Sequence, residues 1–179
     1  MRERTVTDQR AILLTGAYGT GKSAVAAEIA ELLELSTQPY AAIDLDWLCW
    51  SNVDGSDHGE HEILARNLAA VATIYREAGA RRFVLAGSIE NAAILEAIRA
   101  AIVAPLTVVR LTAPLAVIEE RLSGSPTSGR ADDLARAREW LAAGIGVGLE
   151  DAVIENVGPI RDTALRVLEL AGWTAPDTA

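Results

Sequence analysis

The segment from position 16 to position 23 combines glycines, a lysine and a serine at a spacing suited to phosphate binding. It reads Gly-Ala-Tyr-Gly-Thr-Gly-Lys-Ser and matches the pattern G-x-x-x-x-G-K-[ST]. Glycines allow successive backbone N–H groups to turn towards phosphate oxygens. Lys22 can reach the β- and γ-phosphates of a nucleotide, and the Ser23 hydroxyl is an oxygen ligand suited to Mg²⁺. The segment therefore predicts a site for a nucleotide such as ATP together with Mg²⁺.

All eight residues of this loop are candidates for nucleotide binding: Gly16, Ala17, Tyr18, Gly19, Thr20, Gly21, Lys22 and Ser23. Lys22 is the only lysine among the 16 basic residues of the chain. A compact ammonium group fits inside a phosphate loop, whereas a planar guanidinium does not. The apolar periodicity that follows predicts a helix whose positive N-terminal end faces the same anion.

Two carboxylates follow the second predicted strand, which covers residues 40–44. If this strand stays extended, alternation places Asp44 and Asp46 on the same side. One carboxylate would then hold Mg²⁺ and the other would orient or deprotonate an attacking hydroxyl. The alternative is that both aspartates cap a helix that starts near Trp47.

Five apolar segments with strand character alternate with amphipathic helical segments along the chain. The strands are predicted at 11–15, 40–44, 82–86, 106–111 and 152–156, and helices are predicted between them, including 89–101 and 132–143. This alternation predicts an α/β fold, a doubly wound, five-stranded parallel sheet with helices on both faces. No repeat or long linker divides the sequence, so residues 1–179 are expected to form a single domain. Ligands of such sheets bind at the carboxyl ends of the strands.

The phosphate loop and the order of elements resemble those of the P-loop small-molecule kinases, such as shikimate, gluconate, adenylylsulfate and nucleoside monophosphate kinases. The element Asp44-Leu-Asp46 resembles the Asp-x-Asp element of shikimate and adenylylsulfate kinases. This resemblance implies that Asp44 joins Ser23 on the metal side and that Asp46 is the substrate or base residue. The third predicted strand is followed by Gly87 and not by an acidic residue. This departs from the Walker B pattern of many ATPases, in which an acid ends the strand.

A loop rich in serine and glycine follows the fourth strand and its helix. The resemblance implies that residues 121–131 form a short lid, whose Arg121 and Arg130 would stabilise charge during transfer. The alternative is that both are ordinary surface arginines. After the fifth strand, Asn156 occupies a place where related kinases pass backbone under the adenine, although a simple strand-to-helix turn explains it equally well.

Composition limits the partners and the compartment. The net charge of −9 disfavours binding to nucleic acid or to an anionic membrane. One cysteine excludes an internal disulfide and suits a reducing cytosol. The charged first residues lack the apolar stretch of a signal peptide, so a cytoplasmic location is expected. Trp47 and Trp50 either line a substrate pocket after the second strand or are buried against the following helix, and burial is the favoured expectation.

The sequence therefore predicts an ATP- and Mg²⁺-dependent phosphotransferase that acts on a hydroxyl of a small molecule. A nucleoside monophosphate kinase is the first alternative, but residues 47–61 contain no arginine to bind a phosphate-bearing acceptor. An ATP-binding regulatory module without turnover is the second. A GTPase is excluded, since its guanine-reading element needs a lysine besides Lys22. The identity of the acceptor and the oligomeric state are left open.

Overall fold

A computed structural model describes residues 8–51, 60–123 and 130–173. In these ranges five strands form one sheet in which all neighbouring strands are parallel. The strands are β1 (Arg10–Thr15), β2 (Tyr40–Asp44), β3 (Arg82–Ala86), β4 (Leu106–Thr112) and β5 (Ala152–Glu155), in the spatial order β2-β3-β1-β4-β5. The phosphate loop follows β1, the central strand. The predicted parallel α/β sheet is confirmed.

Helices connect successive strands. They are α1 (Lys22–Leu35), α2 (Leu45–Cys49), α3 (Glu60–Ala78), α4 (Ala92–Ile102), α5 (Leu115–Ser123), α6 (Arg130–Ala143) and α7 (Ile160–Leu170). The starts of α4 and α6 differ from the sequence prediction. The Asn91 side chain accepts a hydrogen bond from the backbone N–H of Ile94 and so starts α4 later than expected. In the other direction, α6 begins at Arg130, so its acidic residues lie within the first turn.

The core lies on both faces of the sheet because the side chains of β1 alternate between them. Leu13 packs on one face in a cluster with residues of α3 and α4, including Leu68 and Ile98. Ile12 and Leu14 pack on the opposite face, in a cluster with residues of α1 and α7. Helices therefore cover both faces, as predicted for a doubly wound sheet. No helix in the described ranges is long and apolar enough to cross a membrane.

Register brings the ends of the strands together. Asp44 of β2 is level with Ala86 of β3, and Ala86 is level with Leu14 of β1. On the other side of β1, Thr15 is level with Arg110 of β4. The segments that follow these strands therefore begin at the same edge of the sheet. This edge holds the phosphate loop, the aspartate pair and the chain after β5.

Candidate active site

The phosphate loop curls tightly between β1 and α1, and its glycines are required by that geometry. Gly16 has φ +131°, and a Cβ atom there would collide with the backbone oxygen of Leu111 in β4. Gly21 has φ +94°, and its Cβ would lie 2.5 Å from the side-chain nitrogen of Asn156. Both backbone conformations are ones that glycine adopts without strain. Residues 16–23 therefore form a tight loop between β1 and α1, as their sequence pattern predicts.

Lys22 lies inside this loop. Its Nζ donates hydrogen bonds of 3.0 Å to the backbone oxygens of Gly16 and Ala17. Burial lowers the pKa of Lys22 to about 8, while the nearby carboxylates of Asp46 and Asp44 act in the opposite direction. Because burial disfavours the charged form of Lys22, an anion such as a bound phosphate would stabilise its ammonium group. The structure therefore places the lysine where the sequence pattern expects it.

Ser23 and Asp44 meet at the first turn of α1. The Ser23 hydroxyl donates a 2.7 Å hydrogen bond to Asp44 Oδ2, although the two residues are separated by 21 positions in the chain. Asp44 Oδ1 accepts a 3.1 Å hydrogen bond from the backbone N–H of Asp46 and so caps α2. One carboxylate thus joins two elements. The capping alternative is confirmed for Asp44, and its role on the metal side stays a prediction.

The expectation of an extended Asp44-Leu-Asp46 segment is wrong. The strand ends at Asp44 and α2 begins at Leu45, because the Asp44 side chain satisfies the first free N–H of that helix. Asp46 consequently lies in the first turn of α2 rather than at the end of a strand. Leu45 is buried, and a Cβ at Gly87 after β3 would lie 2.9 Å from it. Gly87 therefore makes room for α2.

The surroundings of Asp46 destabilise its charged form relative to the same group in water. Its pKa is raised, first by loss of hydration and then by the charges of Asp44 and Asp133, while Lys22 lowers it. The side chain nevertheless keeps solvent access. An accessible carboxylate with a raised pKa is suited to accept a proton from a hydroxyl group.

Arg121 and Asn156 support the phosphate loop from the side of β5. The Arg121 guanidinium donates to the backbone oxygens of Gly19 (3.3 Å), Thr20 (3.4 Å) and Asn156 (2.8 Å). Asn156 is buried, and its side-chain nitrogen donates a 2.9 Å hydrogen bond to the oxygen of Thr20. Its side-chain oxygen accepts a 2.9 Å hydrogen bond from Thr163 of α7. The adenine contact suggested for Asn156 stays a prediction, and the structure adds a role in fixing the loop.

Helix α6 contributes side chains that sequence reasoning missed. Tyr18 of the phosphate loop packs edge-on against Trp140, with ring centroids 6.4 Å apart, and the Arg136 guanidinium lies 6.0 Å from the Tyr18 ring centre. The Asp133 carboxylate acts electrostatically on Lys22 and Asp46. Residues 133, 136 and 140 follow helical spacing, so they share one stripe of α6. That spacing was the available signal, but nothing in the sequence paired it with the loop.

Part of the predicted lid lies outside the described residues, namely 124–129. Arg130 begins α6, and its side chain also lies outside the described part. The structure therefore brings Arg121 to the phosphate loop. The catalytic role expected of each arginine stays a prediction.

Trp47 and Trp50 do not meet the expectation of burial. Their exposed fractions are 72% and 75%. The physical reason is the early start of α2, which directs Leu45 and, in part, Leu48 and Cys49 into the core and leaves the two tryptophans on the outer side. The indole rings contact each other, with centroids 5.0 Å apart.

The oxygen atoms at the start of α1 fit the needs of Mg²⁺. Mg²⁺ is typically held in nucleotide sites by one or two protein oxygens together with phosphate oxygens and water. The Ser23 hydroxyl and the Asp44 carboxylate, already within 2.7 Å of each other, supply hard oxygen donors of this kind. Within the described ranges, no group of three or more histidine, cysteine, aspartate or glutamate residues is arranged to hold a metal. The donor set therefore suits an ion shared with a nucleotide.

Comparison with known proteins identifies the fold. No family model matches the sequence, and no curated protein matches it. Among solved structures, a sugar kinase from Janibacter sp. HTCC2649 is 18% identical with a TM-score of 0.66, over 90% of this chain and 93% of the kinase. The tunicamycin resistance protein of Deinococcus radiodurans is 20% identical with a TM-score of 0.64, over 95% of this chain and 99% of that protein.

The APS kinase of Mycobacterium tuberculosis, solved in complex with AMPPNP and APS, is 22% identical with a TM-score of 0.56, over 92% of this chain and 98% of the kinase. At such identities the likeness concerns the fold. The chain therefore has the fold of P-loop small-molecule kinases, and the resemblance inferred from its sequence is confirmed at that level.

Proposed function

We propose that this protein is an ATP- and Mg²⁺-dependent phosphotransferase that transfers the γ-phosphoryl group to a hydroxyl of a small molecule. The observation that carries the proposal is the convergence of three groups at one edge of the sheet. These are the Lys22 ammonium inside the phosphate loop, the Ser23–Asp44 pair, and Asp46 in the first turn of α2. Each group matches one requirement of phosphoryl transfer.

The phosphate side of the reaction uses the loop and its lysine. Backbone N–H groups of the loop bind the phosphates, and Lys22 exchanges its two carbonyl partners for the β- and γ-phosphate oxygens. Ser23 and Asp44 would hold Mg²⁺, which when bound would neutralise charge on the phosphate oxygens. Arg121, which already donates to two carbonyls of the loop, adds positive charge beside the transferred group.

The acceptor side uses Asp46. Its carboxylate accepts the proton of the acceptor hydroxyl while the new O–P bond forms and the bond between the γ-phosphorus and the bridging oxygen breaks, releasing ADP. At low pH Asp46 is protonated and cannot take up this proton, so the rate of transfer is expected to fall as the pH is lowered.

The test measures ADP release from ATP and Mg²⁺ in the presence of a panel of hydroxyl compounds. We expect stimulation by one chemical class, and loss of that stimulation in Asp46→Asn with nucleotide binding retained. The matched control is Asp162→Asn, an exposed aspartate in the first turn of α7. Lys22→Ala is expected to lose nucleotide binding as well. Tight ATP binding without stimulation by any acceptor would favour a regulatory module instead.

A further inference from the structure

The outer side of α2 presents an acid and two exposed indoles. Leu45 is buried, and Leu48 and Cys49 pack partly against the core, so the inner side of this short helix is apolar. Asp46, Trp47 and Trp50 lie on the solvent-accessible side. Two tryptophans that together remain about three-quarters exposed are unusual in a protein surface, since tryptophan is buried on average. Their position next to Asp46 links them to the acceptor side of the site.

The exposed rings form a surface on which a ligand ring can stack. The two indoles contact each other at a centroid distance of 5.0 Å with their planes tilted by 43°, so they form one continuous apolar face. Residues 46 and 50 are one helical turn apart, which places Trp50 on the same stripe as Asp46. A ring lying on this face would therefore lie on the same side of α2 as Asp46.

The charges near this face select against anions. The carboxylates of Asp44 and Asp133 both raise the pKa of Asp46, so the surroundings of Asp46 are acidic. Among the residues that the structure describes, the nearby cations have other partners. Lys22 and Arg121 donate to carbonyl oxygens of the phosphate loop, and Arg136 lies over Tyr18. On α3, which packs against α2, Arg66 pairs with Glu62. In this described part, an anionic acceptor would meet carboxylates rather than unpaired cations.

We infer that Trp47 and Trp50 form the acceptor subsite and that it takes a hydroxyl-bearing ring compound that is neutral or positively charged, such as a sugar, a nucleoside or an amino sugar. This inference rests on the proposed function and narrows its acceptor. Indole faces attract cationic groups and stack on planar rings. The carboxylates nearby complement amino substituents and accept hydrogen bonds from hydroxyl groups.

The test measures binding and turnover separately. A Trp140→Phe/Trp173→Phe background leaves Trp47 and Trp50 as the only sources of tryptophan fluorescence. Because Trp140 packs against Tyr18 of the phosphate loop, this background is used once its ATP affinity is shown to match that of the wild type. Uridine, glucose and kanamycin are the neutral and cationic probes, and shikimate and gluconate are the anionic ones. We expect quenching or a spectral shift with at least one member of the first set and none with the second.

Kinetics then assigns the role of the rings. In Trp47→Leu/Trp50→Leu we expect the KM for the acceptor to rise about tenfold, with kcat and the affinity for ATP nearly unchanged, because stacking contributes to binding the acceptor and not to the nucleotide. Leu170→Ala, an exposed leucine on α7, is the matched control. The rings are mostly exposed, so their replacement is not expected to unfold the protein.

Three results would overturn the inference. They are binding of the anionic set alone, an unchanged KM in the double variant, and the absence of any fluorescence response while ATP still binds. In each of these cases the proposed function survives if ATP-dependent phosphorylation of some compound is detected. Failure of the proposed function is seen differently, as ATP binding without transfer to any compound in the panel.

Discussion

Raising the pH should weaken nucleotide binding through Lys22. The pKa of Lys22 in the free protein is about 8, because burial disfavours its charged form. Bound phosphates raise that pKa, since they stabilise the ammonium. Binding above pH 8 must therefore take up a proton, and the affinity falls as the pH rises through the pKa of the free protein.

The magnitude follows from the protonated fraction of Lys22. With a pKa of about 8, roughly three-quarters of the free molecules carry the charge at pH 7.5 and roughly 3% at pH 9.5. If the bound lysine stays protonated throughout, the Kd for ATP rises about 25-fold between these two pH values. The γ-phosphate of ATP is already ionised in this range, so the ligand does not contribute to the change.

Isothermal titration calorimetry in buffers of different ionisation enthalpy measures both the Kd and the proton uptake. We expect uptake to approach one proton per ATP near pH 9. Lys22→Met is the control, and its weaker binding should not depend on pH. A Kd that is constant from pH 7.5 to 9.5, without proton uptake, would refute the depressed pKa of Lys22.

Two further substitutions test how the loop is held. Asn156→Ala removes the hydrogen-bond partners of the Thr20 carbonyl and the Thr163 hydroxyl. We expect the free energy of unfolding, measured in urea, to fall by about 1–3 kcal/mol. An unchanged unfolding midpoint would contradict the supporting role of this side chain. Gly21→Ala places a Cβ 2.5 Å from the Asn156 side-chain nitrogen, at a residue whose φ is +94°. Because this clash and the strained backbone distort the loop, we expect ATP to bind about tenfold more weakly or worse. Wild-type affinity in calorimetry would show that the loop tolerates a side chain there.

Local patterns allowed the fold and the phosphate loop to be predicted. Both the alternation of strands with helices and the loop pattern at 16–23 are properties of short segments, so they are visible in the sequence. Gly16 and Gly21 then adopt the positive φ values that such a loop needs. Strand β2 was predicted with its observed bounds.

Features that depend on competition between local and tertiary interactions were predicted less well. Whether the chain stays extended after Asp44 depends on a side-chain cap, and the cap started α2 at once. That helix start also determined the exposure of Trp47 and Trp50. The contacts of Asn156 with the loop join residues 136 positions apart, and no spacing rule pairs such residues.

The most direct test of the account is the fate of the γ-phosphoryl group. Phosphorus-31 NMR of the protein with ATP, Mg²⁺ and the compound that most increases ADP release resolves ADP, inorganic phosphate and phosphate monoesters. We predict that ADP and a new phosphate monoester form in equal amounts, and that Asp46→Asn forms neither at a comparable rate. Formation of ADP with inorganic phosphate alone, in the presence of every acceptor in the panel, would contradict the claim that this site transfers phosphoryl groups to a hydroxyl.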